Sequence, residues 1–166
     1  MANLDNNNSL KNLWETGKAS EIKFWQSFFE NKGLQWKQDY ENRQDPKNPL
    51  QDYITRYLSD SSDRTVSLLD VGAGPLTILG KCWPGYQVRI TAVDPLAHEY
   101  NHFLEKFNIT PLVKTEQGET EKLLELFPSN HFDLVHTRNA LDHSYDPILG
   151  LLQMLAVVKP KCYVVL

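Results

Sequence analysis

Two periodicities divide the chain near residue 65. Between Ser20 and Gly33 the apolar side chains of Ile22, Trp25, Phe28 and Phe29 recur at helical spacing. The pattern predicts a helix capped by Ser20, with Glu21 in its first turn and Gly33 as its stop. A shorter helix is expected around Trp14. Trp36 and Tyr40 carry the aromatic character into the turn-rich break Asp45-Pro46-Lys47-Asn48-Pro49. Leu50 to Leu58 reads as another helix, and Ser59 to Arg64 as a polar linker. Residues 1–9 offer almost no apolar surface to offset ordering entropy, which predicts disorder.

Beyond Arg64 the type of pattern alternates. Val66–Val71, Val88–Val93, Ile109–Val113, Phe132–His136 and Cys162–Leu166 are short runs rich in Val, Ile and Leu, each suited to a buried strand. Helical stretches separate them, over Leu76–Cys82, Ala97–Phe107, Thr120–Phe127 and Pro147–Val158. Strands alternating with helices imply an α/β fold, a doubly wound and mainly parallel Rossmann-like sheet with helices on both faces. The organisation expected is a tail and helical cap over residues 1–64, followed by an α/β core over 65–166.

Composition narrows the class. A chain of 166 residues, 41% hydrophobic and 23% charged, fits one globular domain. Seventeen basic against twenty-one acidic residues give a net charge of −4, which argues against a large nucleic-acid footprint. No apolar run reaches the roughly 20 residues that span a bilayer, and the polar start does not read as a signal peptide. Cys82 and Cys162 lie far apart in no metal-like spacing, so a reduced, cytoplasmic chain without a metal is expected.

The most informative stretch is Leu68-Leu69-Asp70-Val71-Gly72-Ala73-Gly74-Pro75-Leu76-Thr77. It sets a Gly-x-Gly turn between a strand and a helix, where glycine lets the backbone approach a ligand closely. Pro75 suits the first helical position. The second strand ends at Asp94, about 20 residues on, where a carboxylate commonly grips a ribose diol. The competing readings are a plain tight turn for the glycines and a helix cap for Asp94 ahead of Pro95 and Leu96. A dinucleotide site wants a third small residue where Thr77 stands. It would also suffer repulsion between Asp70 and a pyrophosphate, whereas a sulfonium and an ammonium group are attracted by that carboxylate.

These residues resemble the first motif of the class I S-adenosylmethionine-dependent methyltransferases, and Ala92-Val93-Asp94-Pro95-Leu96 resembles their second. Gln117-Gly118-Glu119-Thr120-Glu121 is similar to the segment after the third strand, where an acidic side chain meets the adenine amino group. Phe132 to His143 resembles the fourth strand and the loop bordering the methionine end. Lys159-Pro160-Lys161 leads to a fifth strand. The resemblance covers about residues 65–166. It implies S-adenosylmethionine as cofactor, held by Asp70, Gly72, Ala73, Gly74, Asp94, Pro95, Gly118, Glu119 and Thr120, with Arg138 and Asn139 at its carboxylate. The motif has Leu76 where the family has a third glycine. The family's core also continues past a fifth strand with a helix and two more strands. An end at Leu166 would leave an apolar strand edge open relative to the family, so the expectation is a C-terminally truncated core, or an edge covered by another chain, as in a homo-oligomer, or by the N-terminal helices.

Methyl transfer is an in-line displacement that depends on alignment and needs neither a metal nor a covalent enzyme intermediate. Where the nucleophile must lose a proton, Asp142 and His143 are the candidate bases. The alternative for both is a loop-turn role with Ser144 and Asp146. Glu119 can equally be a first-turn charge beside Thr120, and Arg138 a surface ion-pair partner. His136 reads as a satisfied core residue, and His98, His102 and His131 as surface positions. Trp14, Trp25, Phe28 and Phe29 can roof an acceptor pocket or simply pack on the sheet. Trp36 and Tyr40, near Arg43 and Asp45, are candidates for contacting substrate. The expected function is methyl transfer to a small molecule. A cofactor-binding or interaction module without catalysis is the second reading, and an NAD-binding domain the third.

Overall fold

The computed structural model describes residues 17–58 and 64–166. The expected disorder of residues 1–9, the helix around Trp14 and all but the last residue of the Ser59–Arg64 linker lie outside that range. Five parallel strands form one sheet: β1 (Thr65–Val71), β2 (Gln87–Asp94), β3 (Thr115–Gln117), β4 (Phe132–Thr137) and β5 (Val158–Val165). Their order is β3-β2-β1-β4-β5, so the winding reverses between β1 and β4. This is the doubly wound, Rossmann-like arrangement expected from the alternating pattern, with β5 at one edge.

The helices are α1 (residues 17–30), α2 (Lys37–Gln44), α3 (Asp52–Thr55), α4 (Ala97–Lys106), α5 (Leu123–Leu126) and α6 (Pro147–Val157). On one face of the sheet Leu69, Val71, Val93 and Val135 pack with Leu123 of α5 and Met154 and Val157 of α6. The other face carries Leu68 and Leu134 against Leu50, Ile54 and Leu79. Trp25, Phe28 and Phe29 of α1 join Leu76, Leu96, Tyr100 and Leu104 in a third cluster. The segment before residue 65 thus shares its apolar contacts with the sheet and with α4.

Several local expectations change in the structure. Ser20 lies inside α1, which already runs at residue 17, and caps nothing. Gly33 does mark the stop: its N–H donates to the Phe28 carbonyl at 2.7 Å and Lys32 takes a left-handed φ of 48°. No helix forms over Leu76–Cys82, so Pro75 opens none. The Thr77 hydroxyl accepts the Leu79 N–H at 3.1 Å and diverts the backbone. Farther on, Lys81 donates to the Asn48 carbonyl, and Leu50 to that of Cys82, both at 2.7 Å. Gly80 is required there, because a β-carbon would stand 1.9 Å from the Pro49 carbonyl oxygen.

Ile109–Val113 is not a strand. Asn108 takes a left-handed φ of 53°, and the Ile109 N–H donates to the Leu104 carbonyl at 2.9 Å, which closes α4. The apolar Ile109 serves as the hydrophobic contact of that helix end. The third strand comes later, at Thr115–Gln117. Leu50–Leu58 contains only the single turn of α3, and Thr120–Phe127 divides into a 3-10 turn, Thr120–Lys122, and α5. Strand β5 begins at Val158, earlier than its apolar run, with a register shift against β4 between Phe132 and Leu134.

Candidate functional site

A cavity of about 1010 Å³ opens at the carboxyl ends of β1, β2 and β4, beside the reversal of winding. Its lining includes Asp70, Gly72, Ala73 and Gly74 from the end of β1 and the turn after it, and Asp94, Pro95 and Leu96 after β2. Glu119, Thr120 and Glu121 line it after β3, and His136, Arg138, Asn139, Asp142 and His143 at and after β4. The N-terminal segment supplies Glu21, Phe24, Trp25, Phe28, Trp36, Asp39 and Arg43. All but one of the cofactor-holding and proton-accepting residues named from sequence therefore meet in one space, whereas Tyr40 and Phe29, named for the acceptor side, do not line it. The exception among the former is Gly118, which lies behind the lining. Its N–H donates to the Asp94 carbonyl at 3.2 Å, and a β-carbon on it would meet Leu126 Cδ1 at 2.7 Å.

The turn after β1 is shaped by two glycines. Gly72 and Gly74 have φ of 68° and 66°, in the left-handed region that side chains rarely adopt. A β-carbon on Gly72 would stand 2.2 Å from that of Ala140, so glycine lets the loops after β1 and β4 close on each other. Asp94 Oδ2 accepts the Gly74 N–H at 3.0 Å and its Oδ1 accepts the Leu96 N–H at 2.9 Å. Asp94 thus fastens the turn after β1 and the turn that follows β2, but it does not cap α4, whose N-cap is Leu96 without a side-chain cap bond. Burial drives its pKa up to about 6 against the pull of those two N–H groups.

Beneath the turn lies a buried polar network. Register sets Asp70 of β1 beside His136 of β4, both 2% exposed, and Asp70 Oδ1 meets His136 Nδ1 at 2.7 Å. Thr77 donates its hydroxyl to the second Asp70 oxygen. Facing an acceptor-only carboxylate, His136 Nδ1 carries the proton. His136 is the satisfied core residue expected, and it also lines the cavity. Tyr53 packs 6.2 Å from the imidazole between ring centres, and its hydroxyl is buried without a hydrogen-bond partner. Burial pushes the phenol pKa up, with Arg138 opposing.

The remaining candidates differ in how firmly they are held. Glu119 precedes the 3-10 turn, pairs with Lys122 at 2.7 Å and accepts from the Tyr145 hydroxyl at 3.4 Å. Glu121 is buried and accepts the Asp146 N–H at 3.0 Å. Asp142 and His143 sit on a 3-10 turn, 74% and 61% exposed at the side chain, with 3.6 Å between Oδ2 and Nε2. Arg43 bonds the Leu76 carbonyl and Asp39 and lies 5.4 Å over the Trp25 ring. The anchoring role of Arg43 and the Asp70–Thr77–His136 network were not visible in sequence, since each joins residues from separate elements. His98, His102 and His131 are exposed, and no group of potential metal ligands occurs among the described residues. Among the described residues no helix is long and apolar enough to cross a membrane.

The family model described as "Methyltransferase domain" matches residues 69–166. An uncharacterised methyltransferase of Schizosaccharomyces pombe is 31% identical over 122 residues, which are 68% of this chain and 41% of the relative. The chain thus spans about two fifths of that relative. Among solved structures, a chain of the Haloferax volcanii complex that contains the Trm112 methyltransferase activator aligns with a TM-score of 0.54. It is 16% identical, over 85% of this chain and 55% of the other. The YcgJ protein of Bacillus subtilis aligns at a TM-score of 0.44 and 23% identity, over 64% of this chain and 44% of its own.

Proposed function

The chain belongs to the class I S-adenosylmethionine-dependent methyltransferase family, and from that premise we propose that it transfers the cofactor's methyl group to a small-molecule acceptor within the cavity. The observation that carries the reading is Asp94, a buried carboxylate at the end of β2 that is hydrogen-bonded to Gly74 in the turn after β1, beside the point where the winding reverses. The donor set fits the cofactor. The glycine turn lines the cavity, and the acidic side chains there, Asp70, Asp94 and Glu119 among them, outnumber the basic Lys18, Arg43 and Arg138, a balance that favours a sulfonium and an ammonium group over a pyrophosphate.

In this reading Asp94 and Pro95 hold the ribose, and Glu119 and Thr120 meet the adenine, with Gly118 closing the wall behind them. Gly72, Ala73 and Gly74 present backbone to the amino-acid portion. Asp70 offers it negative charge, and Arg138 and Asn139 pair with its carboxylate. When bound, S-adenosylmethionine supplies a methyl group on a positively charged sulfur. Phe24, Trp25 and Trp36 form the apolar wall that orients the acceptor and excludes water. Asp142 or His143 takes the acceptor's proton where one must leave. The modest overall acidity and the aromatic wall support a small acceptor over a nucleic acid.

The test is calorimetric titration with S-adenosylhomocysteine, repeated on Asp94→Ala, followed by a screen of acceptor classes. Saturable binding weakened at least about tenfold by the substitution, with methyl transfer to a small acceptor, is expected. The high exposure of Asp142 and His143 favours, as the second reading, a module that binds without transfer. Binding with no turnover on any acceptor class would establish that reading instead.

A further inference from the structure

We propose that His136 is a positioning residue whose protonation state sets how much of the Asp70 charge the cavity presents to a cationic ligand. The inference rests on the reading that S-adenosylmethionine binds here with its methionine end over Asp70.

The geometry leaves Asp70 few options. One oxygen accepts from His136 Nδ1 at 2.7 Å and the other from the Thr77 hydroxyl. Both side chains of the pair are 2% exposed, so water neither screens nor replaces these bonds. A carboxylate fixed at both oxygens cannot swing towards a ligand. It acts on the cavity through its charge and the lone pairs that remain. With the imidazole neutral, the pair carries one net negative charge. With the imidazole protonated on both nitrogens, the pair is neutral overall and its field at the cavity largely cancels. Both residues line the cavity, so the change is felt there. A proton on His136 and a cationic ligand therefore compete, and by linkage each lowers the affinity of the other.

The charged and titratable groups around the pair come from several elements. Tyr53 of α3 stands beside the imidazole, and Arg138, Asp70 and Arg43 act on the Tyr53 phenol. Lys81, in the turn segment, feels Arg43, Asp70, Asp39 and Asp45. On β2, Asp94 feels Asp70 and Glu21. From β5 the neighbour opposite His136 is Val165, which does not titrate. His143 also lines the cavity and is kept in every variant, so only the part that changes with His136 counts; Asp94 is the other competing source of pH dependence, since its own pKa lies at about 6. In the proposed pose it faces the ribose, which ligands with and without the methionine chain share.

The experiment follows from that difference. Affinities for S-adenosylmethionine and for 5′-methylthioadenosine, which is neutral and lacks the amino-acid chain, are measured by calorimetry from pH 5 to 7. The measurement is made on the wild type, His136→Asn and His136→Phe. Asn keeps a donor near the Nδ1 position and cannot be protonated. In the wild type the ratio of the two affinities should fall about tenfold as pH drops, following the His136 ¹⁵N imidazole titration read by NMR on the same protein. His136→Asn should remove the part of the fall that follows the His136 imidazole, leaving the Asp94 component common to both ligands and whatever His143 contributes. His136→Phe should lower the ratio at every pH. A ratio that is flat in the wild type, or that falls without following the imidazole titration, overturns the inference, as does the wild-type profile persisting in His136→Asn. Failure of a folded wild type to bind either nucleoside would instead sink the cofactor reading on which it rests.

Discussion

Trp25 stands so close over Gly74 that a β-carbon placed on the glycine would meet its Cζ2 at 2.5 Å. The contact joins α1 to the turn after β1, and Arg43 reinforces it by lying over the same indole and bonding the Leu76 carbonyl. An aromatic roof and a glycine turn are thus one packed unit.

Gly74→Ala should therefore destabilise the protein by about 1–3 kcal/mol through overpacking and a left-handed backbone. It should weaken S-adenosylhomocysteine binding at least about tenfold. Part of the stability cost should disappear in a Trp25→Leu background, where only the backbone strain remains. Denaturant midpoints of the four proteins in this cycle check it, and strictly additive costs would show that the indole is not the obstacle.

Asp94 predicts a stability that declines as pH rises. Its folded-state pKa, about 6, lies above the usual value of 3.8, with burial the first cause. The folded protein then holds the proton more tightly than the unfolded chain. Stability is greatest below about pH 4 as far as this group is concerned, and it falls as pH rises through about 6. Asp94→Asn should remove that component. Urea denaturation at half-unit steps from pH 4 to 7 reads the difference between the two profiles.

Lys81 carries the opposite sign. Burial first, and then Arg43, bring its pKa down to about 8. The unfolded chain binds the proton more tightly, so stability rises between about pH 8 and the usual lysine range near 10.4. Its amino group donates to the Thr77 carbonyl at 3.3 Å, a bond that the substitution Lys81→Met gives up. Lys81→Met should nonetheless stabilise the protein at pH 7 by about 1–2 kcal/mol, an advantage that fades by pH 10. An unchanged denaturation midpoint at pH 7 would argue against it.

Asp142 and His143 separate binding from chemistry. With a small acceptor in hand, Asp142→Asn and His143→Gln should each leave S-adenosylhomocysteine affinity within about twofold. Whichever residue takes the proton should lose about 10- to 100-fold in kcat on substitution, at or below the lower end of the usual range for general bases, given its exposure. If both variants keep full turnover, the loop serves only as a turn.

Much of this protein is determined along the chain itself. Alternation of buried and helical runs sets the sheet, because parallel strands covered on both faces must be apolar almost throughout. Asp70, Gly72, Gly74 and Asp94 are legible as lining the cavity because the turn, the close approach and the strand-end carboxylate are all local in sequence. What the chain does not show is how distant segments compete for the same backbone. The run after Gly74 reads as a helix, yet residues 48–50 and the Thr77 hydroxyl claim its hydrogen bonds. Ile109 reads as a strand residue, yet it closes a helix. The pairing of Asp70 with His136 across 66 positions, and of Trp25 with Gly74, depends on strand register and on the seating of α1. Those are decided only when the elements pack, since contact between remote residues has no periodicity for a sequence to display.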